Sequence, residues 1–96
     1  MMAKAPTINY TLKDMAGYIE SHEPGVMIIN ARLYAGREIM EGDNGKLYIL
    51  RALAGWDTFT TMPAAMDAIR AKPMQYPVVK TTKDWAAEAA KLAGYA

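Results

Sequence analysis

The sequence predicts one α+β domain: a three- or four-stranded antiparallel meander sheet flanked by one N-terminal and two C-terminal helices, in the order α-β-β-β-(β)-α-α. Three observations predict it: apolar residues with helical spacing in three segments, strand-like apolar runs between them, and a hairpin signal at Asn44-Gly45. A chain of 96 residues is one domain, spanning 1-96, and residues 1-7 are expected to form a flexible N-terminal arm. Strands grouped between helices favour helices packed on one face of the sheet.

The first helix is predicted to begin after Thr11. The Thr11 hydroxyl can cap the helix, and Asp14 follows at the spacing of a capping box. An apolar stripe follows at helical spacing: Leu12, Met15, Ala16 and Ile19. Pro24-Gly25 ends the helix.

The strands are predicted next in the chain. Residues 26–34 begin with an apolar run and then alternate, which predicts a strand buried on both faces at its start. Residues 37–41 and 46–52 form the arms of a hairpin. Asn44-Gly45 favours a two-residue type I′ loop, because both positions of that loop need positive φ. Residues 56–60 are predicted to form a short fourth strand.

The C-terminal part is predicted to contain two helices. Thr60 or Thr61 can cap the second, and Pro63 is tolerated in its first turn. Residues 74–80 read as a connector or an edge strand because prolines interrupt them, and a third helix begins near Thr81. The patterns leave open whether Trp56 and Trp85 are core or surface residues.

The hairpin raises a question about what covers the sheet. A two-residue loop sets Ile39 opposite Leu50 and Met40 opposite Ile49, so both faces are apolar. The same register sets Glu38 opposite Arg51, which predicts a charge pair. An antiparallel sheet with one covering layer usually shows a polar face. Three explanations remain open: the chain wraps both faces, the loop is longer and the register shifts, or the second face meets another chain.

The residue types argue against catalysis, cofactors and metal binding. The chain has no cysteine, and its single histidine, His22, is expected to cap a helix end. Asp43-Asn44-Gly45 lacks the spaced oxygen ligands of a calcium loop, and the glycines follow no phosphate-binding pattern. We therefore expect a non-enzymatic protein without cofactor or metal.

A small nucleic-acid-binding module is the alternative function. Its contacts would be basic residues interleaved with aromatic ones on the strands, namely Arg32, Arg37, Lys46 and Arg51 beside Tyr34, Tyr48 and Trp56. The net charge of only +1 and the acidic Glu38, Glu41 and Asp43 on the same strands argue against it.

The leading hypothesis is a protein-protein interaction domain that acts through an exposed sheet face and aromatic residues. The predicted interaction residues are Tyr34, Arg37, Tyr48, Arg51, Trp56 and Tyr76, and the partner is another protein or a second copy in a homo-oligomer. A cysteine-free domain of this size resembles small phage or mobile-element proteins that bind and block a host or defence machine. Without a signal peptide or membrane-spanning run in this sequence, a cytoplasmic location is expected.

Overall fold

The computed structural model describes residues 6–79, which form two helices and six strands. The helices are α1 (Leu12–His22) and α2 (Met62–Ala71), and the strands are β1 (Thr7–Ile8), β2 (Ile28–Tyr34), β3 (Arg37–Gly42), β4 (Leu47–Leu50), β5 (Trp56–Phe59) and β6 (Val78–Val79). An antiparallel sheet in the order β2-β3-β4-β5 confirms the α+β class and the meander with its fourth strand. The predicted third helix lies outside the described residues.

Both described helices begin where the sequence predicts. The Asp14 backbone N–H donates to the Thr11 hydroxyl at 3.1 Å, and the Thr11 N–H donates to the Asp14 carboxylate at 3.3 Å, which completes a capping box. Thr61 caps α2 by accepting a hydrogen bond from the Ala64 N–H at 3.3 Å, and Pro63 lies in the first turn. These contacts satisfy N–H groups that have no partner within the helix.

A small second sheet joins the two ends of the described chain. β1 and β6 pair in parallel, and the Val78 N–H donates to the Pro6 carbonyl at 2.7 Å. Thr7 was predicted to belong to the N-terminal arm, but it lies in this sheet. The predicted connector therefore carries a two-residue strand at its end.

The two-residue type I′ loop predicted for the hairpin is wrong. Met40 pairs with Tyr48, so the loop contains three residues, Asp43 to Gly45. The Gly42 N–H donates to the Lys46 carbonyl, and Gly45 has a φ of 84° while Asn44 does not have a positive φ. This is a tight turn followed by one left-handed residue, a common three-residue hairpin that needs glycine at a single position. The predicted alternative, a longer loop with a shifted register, is confirmed.

This register and the helix positions divide the sheet into two covered faces. One face, the α1 face, joins buried side chains of the sheet to those of the first helix: Met40, Tyr48 and Leu50 with Leu12, Met15 and Ile19. The other, the α2 face, joins Ile39, Leu47 and Ile49 to Ala65, Ile69 and Tyr76.

The prediction of helices on a single face is therefore wrong, because α1 and α2 lie on opposite faces. The intramolecular explanation for the two apolar faces of the hairpin is confirmed, since the protein's own helices and connector cover both. Within residues 6–79 neither helix has the length and apolar character needed to cross a bilayer.

Candidate functional site

The six predicted interaction residues do not share one surface. Tyr48, Tyr76 and Arg37 are buried, Tyr34 and Trp56 are partly buried, and Arg51 is exposed. Tyr34 and Tyr76 belong to the α2 face, whereas Tyr48 and Trp56 belong to the α1 face. Buried side chains offer a partner no contact area, so any interface of this monomer has to be built mainly from other residues.

Arg37 is a structural residue of the α2 face. Its guanidinium donates three hydrogen bonds to backbone carbonyls: to Tyr76 at 3.2 Å, to Ala35 at 2.6 Å and to Pro73 at 2.7 Å. Charge-assisted bonds of this kind are stronger than neutral ones and compensate the burial of the cation. Arg37 thereby fixes the connector that follows α2 against the start of β3.

Tyr76 and Asp57 fix the same connector to β5. The Tyr76 hydroxyl donates to the Asp57 carboxylate at 2.6 Å, and the Gln75 side-chain N–H donates to the same oxygen at 2.7 Å. Burial, together with the neighbouring Asp57 carboxylate, raises the pKa of Tyr76 to about 12. Arg51 lies 3.7 Å from the other Asp57 oxygen, so the predicted pairing of Arg51 with Glu38 is replaced by an ion pair with Asp57.

Trp56 lies in an aromatic cluster at the end of α1. Its ring centroid is 5.5 Å from that of Tyr18, 6.2 Å from that of His22 and 6.5 Å from that of Tyr48. His22 is in the last turn of the helix, where Nδ1 lies 2.8 Å from the Tyr18 carbonyl oxygen. Trp56 is therefore partly core, whereas Trp85 lies outside the described residues.

The basic residues of the nucleic-acid hypothesis are dispersed. Arg37 is buried on the α2 face, and Lys46 lies next to the hairpin loop, at the other end of β3 and β4. Arg51 is paired with Asp57, and Arg32 lies on the outer strand β2. Phosphate binding depends on several cations acting together, and this arrangement does not group these four.

The sequence did not predict the exposed apolar border along β2. Met27, Ile29 and Leu33 are 58%, 52% and 49% exposed, and all three lie in or next to β2. Among residues 6–79, β2 pairs only with β3, so its other side is a sheet edge. We call these three side chains and β2 the β2 edge. The apolar run at residues 26–29 predicts a strand buried on both faces at its start, but the register shifts between Ile28 and Asn30, and Ile29 is left outside the ladder.

A groove lies between α1 and the loop that joins β4 to β5. Its volume is ≈ 430 Å³, which is within the usual range for small-molecule sites. We call it the α1 groove, and it is lined by Ile8, Tyr10, Asp14, Met15, Tyr18, Pro77 and residues 50–55. These residues come from four separate parts of the chain, which is why no local pattern indicated the groove.

Glu38 lies beneath this groove and is 5% exposed. Its Oε1 atom is buried without a hydrogen-bond partner, and burial raises the pKa of the carboxyl above its usual range. A void of ≈ 10 Å³ beside Glu38 shares Ile8, Met15, Leu50 and Pro77 with the groove lining. A buried acceptor without a partner is uncommon in native proteins, and it marks this place as chemically distinct.

Among the described residues there is no group of three or more His, Cys, Asp or Glu side chains that could hold a metal ion. No protein family, curated protein or solved structure matches this chain. Any function must therefore be argued from the β2 edge and the α1 groove themselves.

Proposed function

We propose that this chain is a non-catalytic protein-binding domain that docks through the β2 edge. The supporting observation is the exposure of Met27, Ile29 and Leu33 along the outer strand. Exposed apolar side chains scattered singly are normal, but three of them along one outer strand give that strand an apolar border that a partner can contact. The six residues predicted from the sequence contribute mainly to the interior, so we place the proposed interface on β2 instead.

The sheet edge supplies a mode of binding. An extended segment of a partner can add to an edge strand through backbone hydrogen bonds, while alternate side chains give specificity. The bulge at Ile29 interrupts the regular ladder, and such bulges limit indiscriminate edge pairing. The partner is another protein or a second copy of this chain. A blocking action against a host or defence machine stays a prediction, which the identity of the partner would test.

The experiment compares two charge-introducing variants. Leu33→Lys places a cation on the β2 edge, and Leu53→Lys does the same at a fully exposed leucine outside the β2 edge. Mass in solution and affinity capture followed by mass spectrometry are measured for both variants and the natural protein. We expect Leu33→Lys to lose the dimer or the captured protein and Leu53→Lys to keep it. A natural protein that is monomeric and captures nothing, or two variants that behave alike, would refute the proposal.

A further inference from the structure

The α1 groove and the buried Glu38 carboxyl form a candidate ligand site that is separate from the β2 edge. Four side chains, Ile8, Met15, Leu50 and Pro77, line both the groove and the void at Glu38. The groove and the void therefore share a wall, which includes Met15 with its flexible thioether chain. A ligand in the groove could therefore reach the carboxyl after a small side-chain movement.

Among the described residues, no group donates a hydrogen bond to Oε1 of Glu38. Arg37, which also lines the void, directs its guanidinium to the carbonyls of Tyr76, Ala35 and Pro73. Oε1 of Glu38 has no partner. An ionised carboxylate buried in this way is costly unless a hydrogen-bond donor or a cation reaches it.

The groove walls suit a ligand with a positive charge and an apolar body. Asp14 and the rings of Tyr10 and Tyr18 line the groove, and tyrosine rings attract cations through their faces. Arg51 also lines it, but its guanidinium is occupied by the Asp57 carboxylate and the Ala54 carbonyl. The acceptor left without a donor is therefore Oε1 of Glu38, whereas the Asp14 carboxylate accepts from the Thr11 N–H and adds negative charge to the groove wall.

We propose that the α1 groove binds a small apolar primary amine whose ammonium group donates hydrogen bonds to the Glu38 carboxylate. The hydrocarbon part of the amine lies against Met15, Leu50 and Pro77, which line the groove. A single buried carboxylate suits an ammonium ion better than a metal ion, because metals require several ligands.

The test uses three probes of similar shape: phenethylamine, the neutral 2-phenylethanol and the anionic 3-phenylpropionate. Binding is followed by two-dimensional amide NMR of the ¹⁵N-labelled protein. We expect phenethylamine to shift the amide signals of Met15, Leu50 and Ala54, and the other two probes to bind more weakly. Equal binding of the amine and the carboxylate, or no binding of the amine at millimolar concentration, would overturn the proposal.

Variants of the protein test whether the amine binds through Glu38 or adsorbs nonspecifically to the surface. Glu38→Gln removes the charge with little change of shape, and we expect it to weaken phenethylamine binding by about tenfold to hundredfold, as for a lost charge-assisted hydrogen bond. Glu41→Gln is the matched control, because Glu41 is on the same strand but faces the opposite side of the sheet.

A second variant, Ala54→Trp, fills the groove from an exposed loop position and should also abolish binding. The amide spectrum reports whether each variant is folded. Unchanged amine binding in folded Glu38→Gln or Ala54→Trp protein, or an equal loss in Glu41→Gln, would place the amine elsewhere and refute the site.

Discussion

Arg37 and Glu38 are neighbours in the chain and are both buried, but they project to opposite faces of the sheet. Arg37 is 7% exposed and donates to three backbone carbonyls. Glu38 is 5% exposed and has an oxygen without a partner. The α2 face therefore contains a compensated charge that holds the fold together, whereas the α1 face contains a buried carboxyl with an unpartnered oxygen beside a groove.

The difference indicates where function can be sought. A buried ion with all its hydrogen bonds made is explained by structure alone, because removing it would leave carbonyls without donors. A buried ion without them lowers stability, and such local conflicts in natural proteins are often found at functional sites. The predictions below test this contrast between the α1 and α2 faces, from the largest expected effect to the smallest.

The largest effect concerns the burial of both faces. Ile39 and Met40 are adjacent and fully buried on opposite sides of β3. We expect Ile39→Ala and Met40→Ala each to lower the free energy of unfolding by about 3 kcal/mol, through lost burial and a residual cavity. Urea unfolding measures both variants. A loss confined to one of them would show that one face is open in solution, contrary to the structure.

The replacement of Arg37 by methionine tests the compensated charge. Arg37→Met keeps an apolar stem but removes the donors to three carbonyls, so we expect a loss of about 2–3 kcal/mol in the free energy of unfolding. Arg32→Met is the control at an exposed position of β2, and its effect should stay within about 0.5 kcal/mol. Similar midpoints of urea unfolding for the two variants would argue that the guanidinium bonds contribute nothing.

Tyr76 provides a test of the α2 face at high pH. Because its folded-state pKa is raised to about 12 from 10.0, its contribution to stability is complete below pH 10.0 and is lost as pH rises towards 12. Tyr76→Phe removes the hydrogen bond to Asp57, so we expect about 1 kcal/mol less stability at pH 8 and a flatter decline above pH 10. Thermal unfolding between pH 8 and 11 measures both, and parallel curves for the two proteins would contradict the role of the hydroxyl.

The smallest expected effect is that of replacing Glu38, and it is a gain in stability rather than a loss. A carboxyl whose folded-state pKa is raised stabilises the fold when protonated, and that contribution is lost as pH rises from the ordinary value of 4.5 through the folded-state value. Glu38→Gln stays neutral, so we expect a gain of about 1 kcal/mol at pH 8 that shrinks towards pH 4. Urea midpoints at the two pH values measure the gain. A loss of stability at pH 8 would mean that the carboxylate already has a partner in the folded protein.

The sequence predicted the elements but not how they are arranged. Thr11 with Asp14, and Thr61 with Pro63, act within a single turn, so their capping roles could be read directly from spacing. The register of the hairpin could not, because Asn44-Gly45 suits both a two-residue and a three-residue loop. The difference of one residue moved the partner of Met40 from the predicted Ile49 to Tyr48.

The candidate sites were even harder to predict from the sequence than the arrangement of the elements. The exposure of Ile29 depends on a bulge in β2, and the burial of Tyr48 and Tyr76 depends on which helix covers which face. The six residues predicted as an interface are aromatic residues and arginines, which dominate interfaces, but aromatic side chains also fill cores.

By itself, the sequence determined the α+β class, the helix starts, the strand segments and the position of the hairpin, because these follow from spacing and from contacts between residues close in the chain. Only the tertiary structure decided that α1 and α2 cover opposite faces, that β2 is left with an exposed apolar border, and that Glu38 lies unpaired beneath a groove. Those features arise from contacts between distant segments, and the free energy of such contacts depends on which surfaces meet after the chain has folded.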